Sequence, residues 1–276
     1  MAEQLNLVFF PAGYSELFSS WNRYPKAVPY AGGTALIREQ SSEILDLPSI
    51  ILSLEKIDEM HRISRSERYM EIGAMANLSQ IIDLGKVVPA ILRHCLENIA
   101  GPQLRNMATI GGNLCVRDGC MDSSAALAAL DAQCELRNAQ SSRWISVSRF
   151  FATPGQTCLK PQELLTRIRV PLGAWDYAIY KKFSGQASQS KVVAFLVNAQ
   201  KNVLSDIRIV YKSRTLWRDK NSESILIGKH LPLNQRIVSD FIESWKAFIS
   251  GMLDVDEISR KELINFIEMN IRNFSE

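Results

Sequence analysis

The stretches Tyr30-Ala31-Gly32-Gly33-Thr34-Ala35-Leu36-Ile37 and Ala108-Thr109-Ile110-Gly111-Gly112-Asn113-Leu114 each place a Gly-Gly pair beside hydroxyl or amide side chains. Glycine has no Cβ atom, so it tolerates a positive φ and lets backbone N–H groups approach a ligand closely. Successive N–H groups in such turns form concave sites for anions such as a pyrophosphate. One Gly-Gly pair is typical of an ordinary turn, whereas two pairs set among apolar residues predict a site for a large dianionic cofactor.

The composition is that of an ordinary globular protein. The chain has 276 residues, of which 46% are hydrophobic and 22% are charged, and its net charge is +3 from 32 basic and 29 acidic residues. This balance argues against nucleic acid as the main partner. The acidic N-terminal segment does not resemble a signal peptide, and no apolar run approaches the roughly 18 residues of a membrane span. We therefore expect a cytoplasmic protein without a membrane segment.

The cysteines predict reduced thiols and no metal site in this chain. The spacing between Cys115 and Cys120 is too long for a two-residue ligand pair, and a second pair is lacking. The histidines His61, His94 and His230 are scattered. An odd number of irregularly spaced cysteines in a long chain is typical of a cytosolic protein. The five cysteines are Cys95, Cys115, Cys120, Cys134 and Cys158.

The pattern of apolar residues divides the chain into three sections, residues 1–57, 58–174 and 175–276. In the first section, Leu17, Phe18 and Trp21 lie on one face of a predicted helix. In the second, Cys134–Arg137 and Trp144–Val147 alternate like paired strands, and Ser123 or Ser124 is the expected N-cap of an alanine-rich helix. In the third, we expect two strands, Lys191–Gln200 and Leu204–Tyr211. Two helices should follow them. The first has Ile237, Phe241, Trp245 and Phe248 on one face, and the second opens with a capping box at Ser259. This third section also fits a packed α+β domain without chemistry of its own.

Several common catalytic motifs are missing from the sequence. It contains no G-x-G-x-x-G and no P-loop, and neither a G-x-S-x-G elbow nor an H-E-x-x-H helix. Residue chemistry alone therefore indicates a protein that binds an anionic cofactor and does not name a reaction.

The two glycine motifs, in this order and at this separation, closely resemble the FAD-binding medium subunit of the molybdenum hydroxylases, which include xanthine dehydrogenase, carbon monoxide dehydrogenase and nicotinate dehydrogenase. The resemblance covers essentially the whole chain and is weakest in the third section. It also extends to Ile44–Leu47, Glu71–Met75, Ile99–Asn106, Asp122 followed by Ala125–Ala132, Glu163–Leu165 and Val170–Pro171.

This resemblance implies an α+β fold. Two FAD-binding subdomains of the CO dehydrogenase flavoprotein and vanillyl-alcohol oxidase type would occupy 1–57 and 58–174, and a small C-terminal α+β domain would follow. It also implies an electron-transfer subunit that passes electrons from iron–sulfur clusters to NAD or another acceptor. The molybdenum cofactor and [2Fe-2S] clusters would lie in a large and a small partner subunit. No side chain of this chain is expected to be catalytic.

The resemblance further implies that FAD contacts come from both glycine motifs and from later positions. The first loop would wrap the pyrophosphate, and the second would approach the phosphate and ribityl portion. The implied cofactor-binding residues are Pro29, Tyr30, Ala31, Gly32, Gly33, Thr34, Ala35, Leu36, Ile99, Thr109, Gly112, Asn113, Asp122, Leu165 and Lys182.

Some of these assignments have structural alternatives. Asp122 is also suited to a helix N-terminus, Leu165 to the core, and Lys182, which follows Lys181, to a solvated surface. Three departures from the family pattern concern FAD affinity: Ala35 replaces a polar residue, Gln186 replaces arginine, and Val116–Met121 replaces a small turn. These departures motivate one alternative, a non-catalytic scaffold subunit with a decayed FAD site. A separate alternative is a stand-alone flavin oxidoreductase.

Overall fold

The computed structural model describes residues 7–40, 47–116, 121–151, 156–183 and 190–275. Within these ranges the chain forms three β-sheets in sequence order, with helices between their strands. The segments 41–46, 117–120 and 184–189 lie outside the described residues, and with them most of Ile44–Leu47, most of the altered stretch before Asp122, and Gln186.

The first sheet is small and parallel, with strand order β1-β3-β2. Pairing of Val8 with Ile51 and of Pro29 with Leu52 sets its register. Helix α1 covers it with Leu17, Phe18 and Trp21, so the predicted buried face is confirmed. Parallel pairing directs the ends of β2 and β3 to the same edge, where the first glycine loop begins. The elements are β1 (Leu7–Phe9), α1 (Tyr14–Arg23), β2 (Val28–Tyr30), α2 (Thr34–Glu39) and β3 (Ile50–Ser53).

The second sheet has five antiparallel strands in the order β4-β5-β8-β6-β7. Strands β6 and β7 form the predicted hairpin, in which Cys134 pairs with Ile145. Six helices and two 3-10 turns, Asp58–Met60 and Gly85–Val87, accompany it. The elements are β4 (Ile63–Arg65), β5 (Tyr69–Gly73), α3 (Leu78–Asp83), α4 (Ala90–Glu97), α5 (Pro102–Met107), α6 (Ile110–Leu114), α7 (Ser123–Ala129), β6 (Gln133–Arg137), β7 (Ser142–Ser146), α8 (Val147–Phe150) and β8 (Leu164–Pro171).

The third sheet has four antiparallel strands in the order β12-β11-β10-β9. The two long strands β10 and β11 confirm the predicted pair. They are joined at Lys201 and Asn202, whose φ angles of 51° and 59° match the twist of a tight hairpin. The elements are β9 (Tyr177–Phe183), β10 (Lys191–Gln200), β11 (Val203–Lys212), β12 (Leu216–Trp217), α9 (Lys220–Leu226), α10 (Gln235–Ser250) and α11 (Glu257–Ser275).

Strand β10 is buried on both faces and separates two hydrophobic cores. Val192, Ala194 and Leu196 belong to a core shared with the first two sheets, whereas Val193, Phe195 and Val197 pack against the C-terminal helices. The third sheet therefore covers the second section of the chain with one face. Side chains on the same face of the third sheet as Val192 point toward the core that it shares with the first two sheets.

Three predictions about helices were wrong in detail. Helix α7 begins at Ser123 with Asp122 at its N-cap position; Ser123 and Ser124 are fully buried inside it. Helix α11 begins at Glu257, and the side chain of Asp256 accepts the Ser259 N–H, so Ser259 is not the cap. On α10 the buried stripe contains Phe241 and Trp245 as predicted, but Ile237 and Phe248 are only partly buried, because Val238, Ile242 and Ile249 face the core.

Candidate functional site

The two glycine loops meet in the folded chain. A Cβ atom on Gly32 would lie 1.9 Å from the backbone oxygen of Met107, at the end of the helix that precedes the second motif. On the other side, a Cβ atom on Gly112 would lie 3.6 Å from the Cβ of Ala31. Glycine is therefore required at position 32 for this approach, and two motifs that are distant in sequence form one site.

The first loop presents backbone donors. A hydrogen bond from the Leu54 N–H to the carbonyl oxygen of Tyr30, at 3.0 Å, anchors the start of this loop. Gly33 has a φ of +69° and is the N-cap residue of α2, without a side-chain cap. The four N–H groups from Gly33 to Leu36 have no intrahelical acceptor, as at any helix start, and none has an acceptor elsewhere among the described residues. Residues 31–36 are all partly exposed.

The second loop is held by its own polar groups. The Gly112 N–H donates to the Thr109 hydroxyl oxygen at 3.1 Å, which caps α6. This bond uses an oxygen lone pair and leaves the hydroxyl hydrogen of Thr109 as a donor. The Ser123 hydroxyl donates to the side-chain oxygen of Asn113 at 2.5 Å. Asn113 is thereby tied to the start of α7, immediately beside Asp122.

Asp122 is a buried carboxylate at the centre of a charged cluster, and its side chain does not cap the helix. The Lys182 ammonium donates to one carboxylate oxygen at 2.7 Å. The Ser190 hydroxyl donates to the other oxygen, which lies 3.5 Å from the ammonium of Lys212. Only 6% of Asp122 is exposed. We call Asp122, Lys182, Ser190 and Lys212 the Asp122 cluster.

The cluster keeps its carboxylate ionised. Burial raises the pKa of Asp122, but the hydrogen bonds from Lys182 and Ser190 and the charge of Lys212 outweigh it, so the pKa lies below its usual range. The thiol of Cys95 and the hydroxyl of Tyr180 also face this region, and burial raises the pKa of both groups. The Asp122 carboxyl group is therefore ionised at neutral pH.

The remaining predicted residues take different positions. Leu165 is buried in the core on β8, and Ile99 is partly buried between α4 and α5, where the Arg105 guanidinium donates to its carbonyl oxygen at 3.3 Å. Pro29 and Ala35 are partly exposed at the first loop. The structure thus brings the glycine motifs together and joins Asn113 to the Asp122 cluster.

Two members of the cluster, Ser190 and Lys212, were missed from the sequence. Lys212 ends a strand in which Arg208 and Val210 share its face, and Val210 belongs to the first core. A lysine in the inward register of a buried strand was the signal that could have identified it. Ser190 precedes β10 and carries no such pattern.

The described part of the chain contains four cysteines outside disulfides, Cys95, Cys115, Cys134 and Cys158. Burial raises the pKa of the Cys115 thiol to about 12. Within the described ranges, no group of three or more His, Cys, Asp or Glu side chains could hold a metal ion. None of the helices in those ranges is both long and apolar enough to cross a bilayer.

Comparison with known proteins gives one family match and several relatives. The family described as "FAD binding domain in molybdopterin dehydrogenase" matches residues 3–173. The glyceraldehyde dehydrogenase medium chain of Sulfolobus acidocaldarius is 29% identical over 249 residues, covering 87% of this chain and 88% of that one. The carbon monoxide dehydrogenase medium chain of Afipia carboxidovorans is 28% identical over 214 residues, covering 74% and 73%.

A solved structure shows the same fold. A chain of the carbon monoxide dehydrogenase from Hydrogenophaga pseudoflava, in a form that lacks the Mo-pyranopterin moiety, superposes with a TM-score of 0.81 at 22% identity. The alignment covers 97% of this chain and 95% of that one. The predicted fold class is confirmed.

Proposed function

Because this chain belongs to the family of FAD-binding domains of molybdopterin dehydrogenases, we propose that it is the electron-transfer subunit of a multi-subunit molybdenum hydroxylase. The resemblance seen in the two glycine motifs is confirmed, and FAD is the cofactor that the family binds. Its relatives are dehydrogenase and hydroxylase chains, which makes it an oxidoreductase subunit. The meeting of the two glycine loops at Gly32 and Met107 is the observation that carries the assignment of the site.

The residues at the loops fit FAD. The unbonded N–H groups from Gly33 to Leu36 match the need of a desolvated pyrophosphate for several donors. A side chain at position 33 would fill this turn, because a Cβ atom there would lie 2.1 Å from the Tyr30 hydroxyl oxygen. From the second loop, Thr109 and Asn113 would contact the phosphate and ribityl portion. Asp122 and Lys182 would supply an acceptor and a donor to its polar groups.

FAD supplies both single-electron and hydride chemistry, so the protein contributes binding, orientation and electrostatics. The backbone donors of the first loop would hold the phosphates. Asp122 and Lys182 would provide polar contacts that orient the cofactor. No catalytic side chain is assigned, since the cofactor carries the redox chemistry.

The proposed partners are a small iron–sulfur subunit and a large molybdenum subunit. The relatives are named medium chain, medium subunit and FAD-subunit, which supports a heteromeric complex. In this proposal electrons reach the flavin from iron–sulfur clusters and leave to NAD or another acceptor. A cytoplasmic location is supported by the cysteines, four of which are outside disulfides.

The experiment is an absorption spectrum of the purified chain with chromatography of the flavin that acid releases. We expect FAD from the wild type and none from Gly33→Val. Gly85→Val is the matched control, because Gly85 also has a positive φ, +61°, but a Cβ atom there meets nothing within 4 Å. A wild-type chain that stays colourless in excess FAD would indicate the decayed scaffold. Substrate turnover by the isolated chain would indicate a stand-alone flavin oxidoreductase.

A further inference from the structure

Two lysines from different strands reach the same carboxylate. Val192 on β10 pairs with Lys182 on one side and with Lys212 on the other, so the two lysines stand in one row across the sheet. Both side chains point to the face that covers the second section, where Asp122 begins α7. Ninety residues separate Lys212 from Asp122 in sequence. The register of the third sheet therefore determines that Asp122 receives a charge from each side.

Lys212 is buried, with 4% of the residue exposed. Its ammonium donates to the carbonyl oxygen of Ser190 at 2.8 Å and to the Ser190 hydroxyl oxygen at 3.1 Å. Burying an ammonium group is costly unless it is paired and hydrogen-bonded. An apolar residue in this inward register would fill the core at lower cost. The placement of a lysine here therefore indicates a role connected with the carboxylate.

The two lysines approach different oxygens of that carboxylate. Lys182, whose side chain is 40% exposed, holds one oxygen from the solvent side. Lys212 and Ser190 hold the other from inside the protein. Among the residues that the structure describes, the other titratable groups facing Asp122 are the neutral Cys95 thiol on α4 and the neutral Tyr180 hydroxyl on β9. The orientation of the carboxylate is thus set from within by Lys212 and Ser190.

We propose that Lys212, acting together with Ser190, is a positioning residue that fixes the Asp122 carboxylate for FAD binding. This inference rests on the proposed function. Lys212 acts through Asp122 and need not touch the cofactor. Loss of its ammonium group would leave Ser190 as the inner partner of that carboxylate oxygen and remove a buried charge, so Asp122 would be held less firmly and would gain a proton more readily.

The test is a double-mutant cycle on the full chain, with FAD affinity measured by quenching of flavin fluorescence. We expect Lys212→Met to weaken FAD binding at least tenfold in an otherwise native chain. In the Asp122→Asn background the same substitution should cause no further loss. An equal loss in both backgrounds, or none in either, overturns the proposal. A wild-type chain that does not bind FAD is a different result and overturns the proposed function.

Lys191→Met is the matched control. Lys191 lies in the same sheet, and its ammonium pairs with Asp256 and Ser259 on the opposite face. We expect this variant to retain FAD affinity. If Lys212→Met does not fold, Ser190→Ala tests the same contact and should weaken binding only when Asp122 is present.

The pH profile supplies an independent readout. As the pH is lowered, FAD affinity should begin to fall at a higher pH in Lys212→Met and Ser190→Ala than in the wild type. Lys191→Met should retain the wild-type profile. Identical profiles for all four proteins contradict a role for Lys212 that acts through Asp122.

Discussion

The Cβ position of Gly32 lies 1.9 Å from the backbone carbonyl oxygen of Met107. Real Cβ atoms do not approach a backbone oxygen so closely, so only glycine permits this contact between the first loop and the end of α5. The second glycine motif starts one residue after Met107. A single backbone contact thus places the donors of the first loop beside Thr109 and Gly112.

Gly32→Ala should separate the two loops. The added methyl group would overpack a backbone contact, and we expect a loss of roughly 1–3 kcal/mol in the free energy of unfolding. FAD affinity should fall more than tenfold. Gly173→Ala is the control, because a Cβ atom there would lie 3.8 Å from the nearest side-chain atom, the indole nitrogen of Trp175. Urea denaturation and FAD titration of both variants check this, and a Gly32→Ala protein with native FAD affinity would contradict it.

Thr109→Val should loosen the second loop even without cofactor. The hydroxyl oxygen of Thr109 accepts the Gly112 N–H, and valine has the same shape but no acceptor. Loss of an N-cap of this kind costs about 1 kcal/mol. Thr109→Ser keeps the oxygen and should stay within about 0.5 kcal/mol of the wild type. The measurement is urea denaturation of the FAD-free chain; equal stabilities of the two variants would show that the cap does not hold α6.

Asp122 should make the protein sensitive to acid. Its pKa is lowered in the folded chain, because hydrogen bonds from Lys182 and Ser190 outweigh the opposing effect of burial. A carboxyl group of this kind stabilises the fold above its unfolded pKa of about 3.9, and that contribution is lost as the pH falls through the folded value. We therefore expect the contribution of Asp122 to the free energy of unfolding to be constant from neutral pH to about pH 5 and to decline below about pH 4.

Asp122→Asn isolates this contribution. Its free energy of unfolding, followed by urea denaturation from acid to neutral pH, should be lower at neutral pH and should depend less on acidification than that of the wild type. Glu71→Gln is the control, since Glu71 also has a lowered pKa but pairs with Arg167 and Arg169 on the second sheet. That variant should lose acid dependence and retain FAD affinity. Parallel curves for the wild type and Asp122→Asn would rule out this role.

Local elements of the fold could be predicted from the sequence, because their signals are periodic. The buried stripe of α1 and the hairpin of β6 and β7 repeat at helical and strand spacing. The loops could be located because only a few residue types suit their backbone conformations, as the positive φ of Gly33 shows. Each of these signals lies within a short stretch of chain.

The Asp122 cluster could not be assembled in this way. Periodicity indicates which face of β11 is buried, but it does not indicate that this face covers α7. Ser123 was predicted as an N-cap because serine favours that position, whereas its hydroxyl donates to Asn113 inside the protein. The capping preference of Ser259 was likewise overridden by Asp256. In each case a tertiary partner decided the role of a short polar side chain.

Lys181 and Lys182 provide a matched pair for the last prediction. They are adjacent on β9 and therefore point to opposite faces of the sheet, with Lys182 in the register of Val192 and Lys181 in that of Val193. Lys182 pairs with Asp122 at 2.7 Å, whereas Lys181 is exposed and forms no hydrogen bond or ion pair with the described residues.

Lys182→Met should therefore weaken FAD binding about tenfold, which corresponds to about 1.4 kcal/mol. Lys181→Met should leave FAD affinity unchanged. Because the Lys182 side chain is 40% exposed, its ion pair contributes little to the fold, and both variants should unfold within about 1 kcal/mol of the wild type. FAD titration measures the effect of each substitution on cofactor affinity, and urea denaturation measures its effect on the free energy of unfolding. Equal FAD affinities for the two variants would show that the surface role, and not the cofactor role, accounts for Lys182.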